Sequence, residues 1–363
     1  MANALGGGVY MEGTGRLVDC TVTNCTSAGV AGGVVLRGGT VSFCRLVANR
    51  AATQAGGIQI GGTGTIACDH CHVAGNSALS GSGGGAYLSG ALTLSDCQIT
   101  NNAAGNGNGG GAYVDNGASL LRCDVSGNRA GSKGGGVYAA AGQMATDCRI
   151  AGNTAGEGGG VYMPSSGSGS LSMTRCRVVG NTATSAYGGG LYYSQGTMLN
   201  CLVADNLGNT GGGIFVQGGT FRNCTIAGNR GWTGAGVRMN SSGTFQNCIV
   251  AGNFDRTTGV ETNCVGYGSV YGSNTCLNDP DFAKASFIAK DPRFTAAARG
   301  DYTLRHSSPC INAGANGSFG ADDVDLAGNP RIHLFGEENG VVDMGCYESS
   351  WRSQCSPMTL IVR

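Results

Sequence analysis

Thiols dominate the reactive side chains of this sequence: 17 of its 363 residues are cysteine. Cys68, Cys71 and His72 match the C-x-x-C-H spacing of covalent haem attachment, and the same residues suggest a thiolate–imidazole zinc site. Position argues against both. Ten cysteines, Cys20, Cys44, Cys71, Cys97, Cys123, Cys148, Cys176, Cys201, Cys224 and Cys248, recur in one slot at intervals of 23 to 28 residues. Cys68 falls in a repeated apolar slot three residues earlier, so Cys68 and Cys71 should both point into a core too narrow for a haem. A ladder of buried, half-apolar thiols is the expected form of the column; coil-to-coil disulfides are the alternative. Outside the column, Cys264 and Cys276 bracket a polar loop and are one candidate disulfide. Cys310 and Cys346 are a second, and connectivity stays open at this level.

Other chemistry is thinner. Asp322, Asp323 and Asp325, followed by Gly328 and Asn329, offer oxygen ligands to Ca2+ or form a solvated turn. They lack EF-hand spacing and the nine-residue calcium repeat of RTX proteins. Gly-rich triplets recur, but no Gly-Lys-Ser/Thr follows them, which excludes a phosphate-binding loop. Glycoside hydrolysis needs carboxylates flanking the bond. Residues 1–253 carry Glu12, Asp19, Asp69, Asp96, Asp115, Asp124, Asp147, Glu157 and Asp205. Asp19, Asp96 and Asp147 share a slot but lie on non-adjacent repeats, so no convergent pair is expected. Lys133 is the lone lysine of that stretch, which leaves a lyase site equally hard to build. One aromatic column remains: Tyr87, Tyr113, Tyr138, Tyr162, Tyr192 and Phe215. Inward apolar residues flank each ring, so the column should face out. It reads as a glycan-binding stripe or as a ladder of ring contacts that stiffens the sheet.

The elements that position these residues come from a repeat. GGGVYM at 6–11 recurs as GGGAYL at 83–88, GGGAYV at 109–114, GGGVYA at 134–139, GGGVYM at 158–163, GGGLYY at 188–193 and GGGIFV at 211–216. Degenerate copies start at Ala31, Ala55 and Gly234. Each is followed by Cys-x-(Ile/Val/Leu)-x-x-Asn, as in 44–49, 123–128 and 248–253, except that the first copy, 20–25, has Cys25 in the Asn slot. Both segments alternate with period two and read as short strands. An apolar residue three before the cysteine (Leu17, Val41, Leu94, Leu120) cannot share a face with it on a flat strand. A bend and a third strand are therefore expected. Gly and Asn serve the corners, and stacked Asn side chains should bond from coil to coil. The fold class is all-β: a parallel β-helix of about ten coils at 1–253, a capping region at 254–348 and a tail at 349–363. At about 4.8 Å per coil, ten coils span roughly 48 Å. Gly at 69 residues, 12% charged residues and zero net charge give no nucleic-acid footprint. No run of 18 apolar residues suggests a membrane span.

GGGVY followed by NCTIAGN resembles the polymorphic outer-membrane protein repeats of bacterial surface β-helices. The C-terminal region resembles the choice-of-anchor Q module, through DPRF at 291–294, GDYTL at 300–304, SPCINAG at 308–314, DLAGNPR at 325–331 and VDMGCYE at 342–348. The resemblance implies a right-handed helix, an extracellular or cell-surface location and no catalytic residues. The expected function is a non-enzymatic adhesin or glycan-binding stalk, with polysaccharide or a host-cell glycan as partner. A polysaccharide lyase or hydrolase and a structural spacer or filament subunit are the alternatives. Gly6 opens a coil directly, so end-to-end self-association is also expected. No cofactor is expected apart from the Ca2+ at Asp322–Asp325.

Overall fold

The computed structural model describes residues 6–62, 66–140, 143–165, 172–266, 270–277, 287–317, 323–332 and 340–349. The strands of its coils are short and parallel, while Phe294–Ala296 and Asp301–Leu304 of the C-terminal region form an antiparallel pair. The Gly-rich signature builds an eleven-stranded stack from Val9–Met11 to Cys264–Gly266. A second eleven-stranded stack runs from Arg16–Val18 to Val270–Ser273. The segment after the column cysteine builds a third stack, from Thr21–Thr23 through Thr275–Leu277 to Phe287–Ile288.

The expected bend lies one residue before each column cysteine. Asp19, Phe43, His70, Asp96, Arg122, Asp147, Arg175, Asn200, Asn223 and Asn247 all have φ between 48° and 55°. This left-handed step turns the chain, so that Leu94 and Cys97 both reach the interior despite their odd spacing. The triplet glycines serve two different needs. Gly109 has φ +66°. Gly110 and Gly111 are needed for clearance: a Cβ there would lie 2.4 Å from the Gly135 carbonyl oxygen and 2.7 Å from that of Gly136.

The asparagine column forms the expected ladder. Asn153 Nδ2 donates to the Val125 carbonyl and to Asn181 Oδ1, each at 2.9 Å. Its Oδ1 accepts from the Asn128 backbone N–H at 2.9 Å and from Asn128 Nδ2 at 3.0 Å. The same pattern joins Asn49, Asn76, Asn102, Asn128, Asn153, Asn181, Asn206, Asn229 and Asn253 and ends on Asn263. These amides are fully buried and fully bonded, which satisfies polar groups at a corner that water does not reach.

Three features differ from the sequence reading. A fourth stack of two-residue strands runs from Thr26–Ser27 to Thr182–Ala183. Its buried residue is Ala51, Ala78, Ala104, Ala130, Ala155 and Ala183 in successive coils, a side small enough for a tight corner. The helix also continues past residue 253. Cys264–Gly266, Val270–Ser273 and Thr275–Leu277 pair in register with the preceding coil. Thr275 takes the cysteine slot there, after left-handed Asn274.

The C-terminal region is laid along the flank of the last coils, where the sequence reading had it capping their end. Bend asparagines hold it: Asn200 Nδ2 donates to the Val324 carbonyl at 2.8 Å, Asn247 Nδ2 to Ala315 at 2.9 Å and Asn274 Nδ2 to Ala313 at 3.0 Å. Arg331, wholly buried, is the anchor. Its Nη2 donates to Asn200 Oδ1 at 2.6 Å and to the Gly345 carbonyl at 2.9 Å, and its Nη1 pairs with Glu348 at 3.1 Å. A buried pair of this kind is costly to break, because removing one partner leaves the other charge uncompensated.

Candidate functional site

The sequence-predicted sites separate in space. The rings of Tyr87, Tyr113, Tyr138, Tyr162, Tyr192 and Phe215 lie face on face. Successive centroids are 4.8, 4.9, 5.5, 4.4 and 5.1 Å apart, with planes within 3° to 23° of parallel. The in-register strands set this spacing. The column does face away from the helix interior, but each ring covers the next. Sugars stack on ring faces, and a chain running along the rod would meet only edges and hydroxyls. Tyr162 and Phe215 are further closed off, at 6% and 4% exposure. Lys133 Nζ donates to the Tyr162 hydroxyl at 2.9 Å, Gln217 bonds Tyr192, and Tyr187 tilts over Phe215. Burial pushes the Tyr113 and Tyr192 phenols up to about 12, so both stay neutral.

Nine of the ten column thiols, Cys44 to Cys248, are buried as expected, and Cys20 in the first coil is half-buried. The structure brings together neither candidate pair, Cys264–Cys276 or Cys310–Cys346. Cys264 packs into the helix interior, whereas Cys276 lies on the outer side of its strand under the C-terminal region. That region brings Cys310, not Cys264, against Cys276, and sends Cys346 into a separate cluster with Leu202 and Tyr347. In the C-x-x-C-H segment, His70 stacks on Phe43 at the surface and His72 bonds Thr100, while Cys68 and Cys71 turn inward.

In the acidic turn, Asp325 is wholly buried and its carboxylate is filled by protein donors. Oδ1 accepts the Ala327 and Asn329 amides at 2.8 Å, and Oδ2 accepts Asn329 Nδ2 at 3.1 Å and the Glu348 amide at 2.7 Å. Asp325 thereby ties this turn to the Glu348 backbone. Asp322 lies outside the described residues.

A site that the sequence did not point to opens where the C-terminal region meets the helix. A groove of about 1640 Å³ is lined by Asp205, Arg230, Phe254, Lys290, Arg299 and Arg305, among others. Tyr302, buried at its floor, donates to Asp205 Oδ1 at 2.7 Å. Burial and the facing carboxylate raise the Tyr302 phenol, so it remains a donor. The groove's carboxylates are engaged locally: Asp205 by Tyr302, Glu261 by the Gly252 amide and Asn263, Asp291 by the Arg293 amide. Of its bases, Arg293 and Arg305 donate to the Ser307 and Thr295 carbonyls, and the Arg230 charge acts on Asp205 from beyond ion-pair distance; Arg230, Lys290 and Arg299 form no ion pair among the described residues. Phe254 is 39% exposed at the rim.

Handedness and family follow from comparison with known proteins. The right-handed β-helix region family matches residues 7–206 and 159–282. The chain belongs to this family. Comparison with curated proteins finds no match. In this right-handed β-helix no described helix is long and apolar enough to cross a membrane. The family accommodates adhesins, lyases and hydrolases alike, so the function must be argued from the groove.

Proposed function

We propose that this protein is a secreted or cell-surface β-helical stalk that binds an acidic glycan, without catalysis, in the groove between its last coils and the C-terminal region. The observation that carries the reading is the imbalance inside the groove: its carboxylates are hydrogen-bonded by the protein, while Arg230, Lys290 and Arg299 form no ion pair among the described residues. A uronate or sulfate group would pair with these bases. Phe254 offers an uncovered aromatic surface at the rim for a sugar ring. The aromatic ladder supports a stalk role, since its continuous stack stiffens the rod. Catalysis finds weaker support, because Asp205 and Glu261, the groove carboxylates that come from the helix and its last corner, are both held in hydrogen bonds.

Affinity electrophoresis in gels containing polygalacturonate, alginate or neutral dextran tests this. The acidic polymers should retard the protein and dextran should not. Arg230→Gln combined with Arg299→Gln should reduce retardation at least tenfold in apparent affinity, whereas Tyr113→Phe should leave it unchanged. New reducing ends or unsaturated uronate products would replace the reading with a hydrolase or a lyase. Equal migration in all gels would leave the spacer role.

A further inference from the structure

One place in the thiol column breaks the pattern. The slot three residues before the column cysteine holds an apolar side chain in the flanking coils, Val41 on one side and Leu94 on the other, both in register with Cys68. Cys68 therefore brings a second thiol into the interior beside Cys71, with Cys97 of the next coil above. The Sγ atoms of Cys68, Cys71 and Cys97 all lie within 4.8 Å of one another, and all three residues are at most 2% exposed. Among the described residues no other group of three or more His, Cys, Asp or Glu converges in this way. We infer that Cys68, Cys71 and Cys97 form a three-sulfur site for a soft monovalent cation, Cu(I).

The ligand set selects the metal. Three sulfurs bound to one ion at about 2.3 Å lie about 4 Å apart in a trigonal plane, so closing the site takes less than about 1 Å of side-chain movement. Hard cations need oxygen, and this wall offers none beyond carbonyls already engaged by strand pairing. A structural zinc ion takes four ligands. His70 and His72 are turned to the outside and cannot supply the fourth. Cu(I) is satisfied by two or three thiols, and soft ligands select it. Cu(I) is held by thiolates: each thiol releases its proton to solvent as its Cu–S bond forms, and the monovalent ion offsets one of the resulting negative charges. Because the wall is closed on all sides, the ion enters as the coil folds.

Cys68→Val tests the site, because Val41 already fills this slot in the neighbouring coil and the variant should fold with an unchanged circular dichroism spectrum. Wild type and variant are expressed in copper-supplemented cells and purified anaerobically with bathocuproine disulfonate present. Copper is then counted by mass spectrometry. The wild type should retain about one copper per chain more than the variant, and X-ray absorption should show three sulfur neighbours. Equal copper in the two proteins, zinc in place of copper, or a disulfide joining any two of the three cysteines would overturn the assignment.

Discussion

Replacing Asn153 by alanine tests whether the amide ladder holds the corner of the coil. The change deletes two donated bonds, to the Val125 carbonyl and to Asn181 Oδ1, both at 2.9 Å. It also removes the acceptor for the Asn128 amide and for Asn128 Nδ2. Asn181 Oδ1 keeps the Asn153 backbone N–H, so three buried groups lose a partner: two donors and one carbonyl. Each buried group left unpaired costs about 1–3 kcal/mol, and with partial relaxation of the coil the loss should be on the order of 3–6 kcal/mol. Urea unfolding followed by far-ultraviolet circular dichroism gives the total. Hydrogen exchange shows whether the coils from 125 to 181 open first. Arg149→Ala, which removes an exposed pair with Asp124, is the control and should cost no more than about 1 kcal/mol. Asn153→Asp sharpens the test. It keeps the acceptor for Asn128 but sets a carboxylate against two oxygens, so burial raises its folded pKa. Its stability should be greatest below the unfolded carboxyl pKa near about 3.9 and should fall as pH rises through the folded value. A loss below about 1 kcal/mol for Asn153→Ala would refute the ladder as a source of stability.

Two further outcomes are expected. Tyr138→Leu keeps the column apolar but removes two stacked contacts, with Tyr113 and Tyr162, and should cost about 1–3 kcal/mol in thermal or chemical unfolding; a change under about 0.5 kcal/mol would mean the rings merely lie side by side. Burial, with the nearby Asp343 charge adding and Arg331 opposing, pushes the Glu348 carboxyl up to about 8 from 4.5. Between these values the folded protein holds a proton that the unfolded chain does not. Stability from this residue is therefore complete below 4.5 and declines toward pH 8, by at most about 1.4 kcal/mol per pH unit. Glu348→Gln should flatten that decline between pH 5 and 8, and an unchanged slope would show that Glu348 is not its source.

The helix was legible because its signals repeat. One coil's cysteine, asparagine and glycine slots are ambiguous, but nine or ten copies in register leave few folds that satisfy them all. The odd spacing between Leu94 and Cys97 was enough to require the left-handed residue found at Asp96. The fourth stack was missed because two residues are too few for an alternation. Its signal was the alanine two places after each column asparagine from Asn49 to Asn181, as at Ala51, Ala78 and Ala104. The eleventh coil was missed because Thr275 stands in the cysteine slot and the Gly-rich triplet is gone. The disulfide candidates failed for a different reason. Which side of its strand Cys276 occupies depends on the bend at Asn274, and the partner on that side comes from a segment whose docking no periodicity encodes.

In a repeat protein the consensus builds the rod, and function has to be sought where a column changes residue type. Bend residues in the early coils pair with one another at the surface, as Asp96 does with Arg122 and Asp147 with Arg175. From Asn200 onward the same slot becomes asparagine, and those amides bond the carbonyls of the C-terminal region. An amide both donates and accepts, so it can hold a foreign backbone where a charged pair can hold only its opposite. The switch from charge to amide marks the coils that receive the C-terminal region. The groove opens along the edge of that contact, where residues from two unlike surfaces meet and no repeat rule forces their charges to cancel. Cys68 is the same kind of departure turned inward, a polar atom in an apolar column. Both proposed sites lie where adjacent coils stop obeying the same rule, and for that reason neither could be read from the consensus that gives the fold.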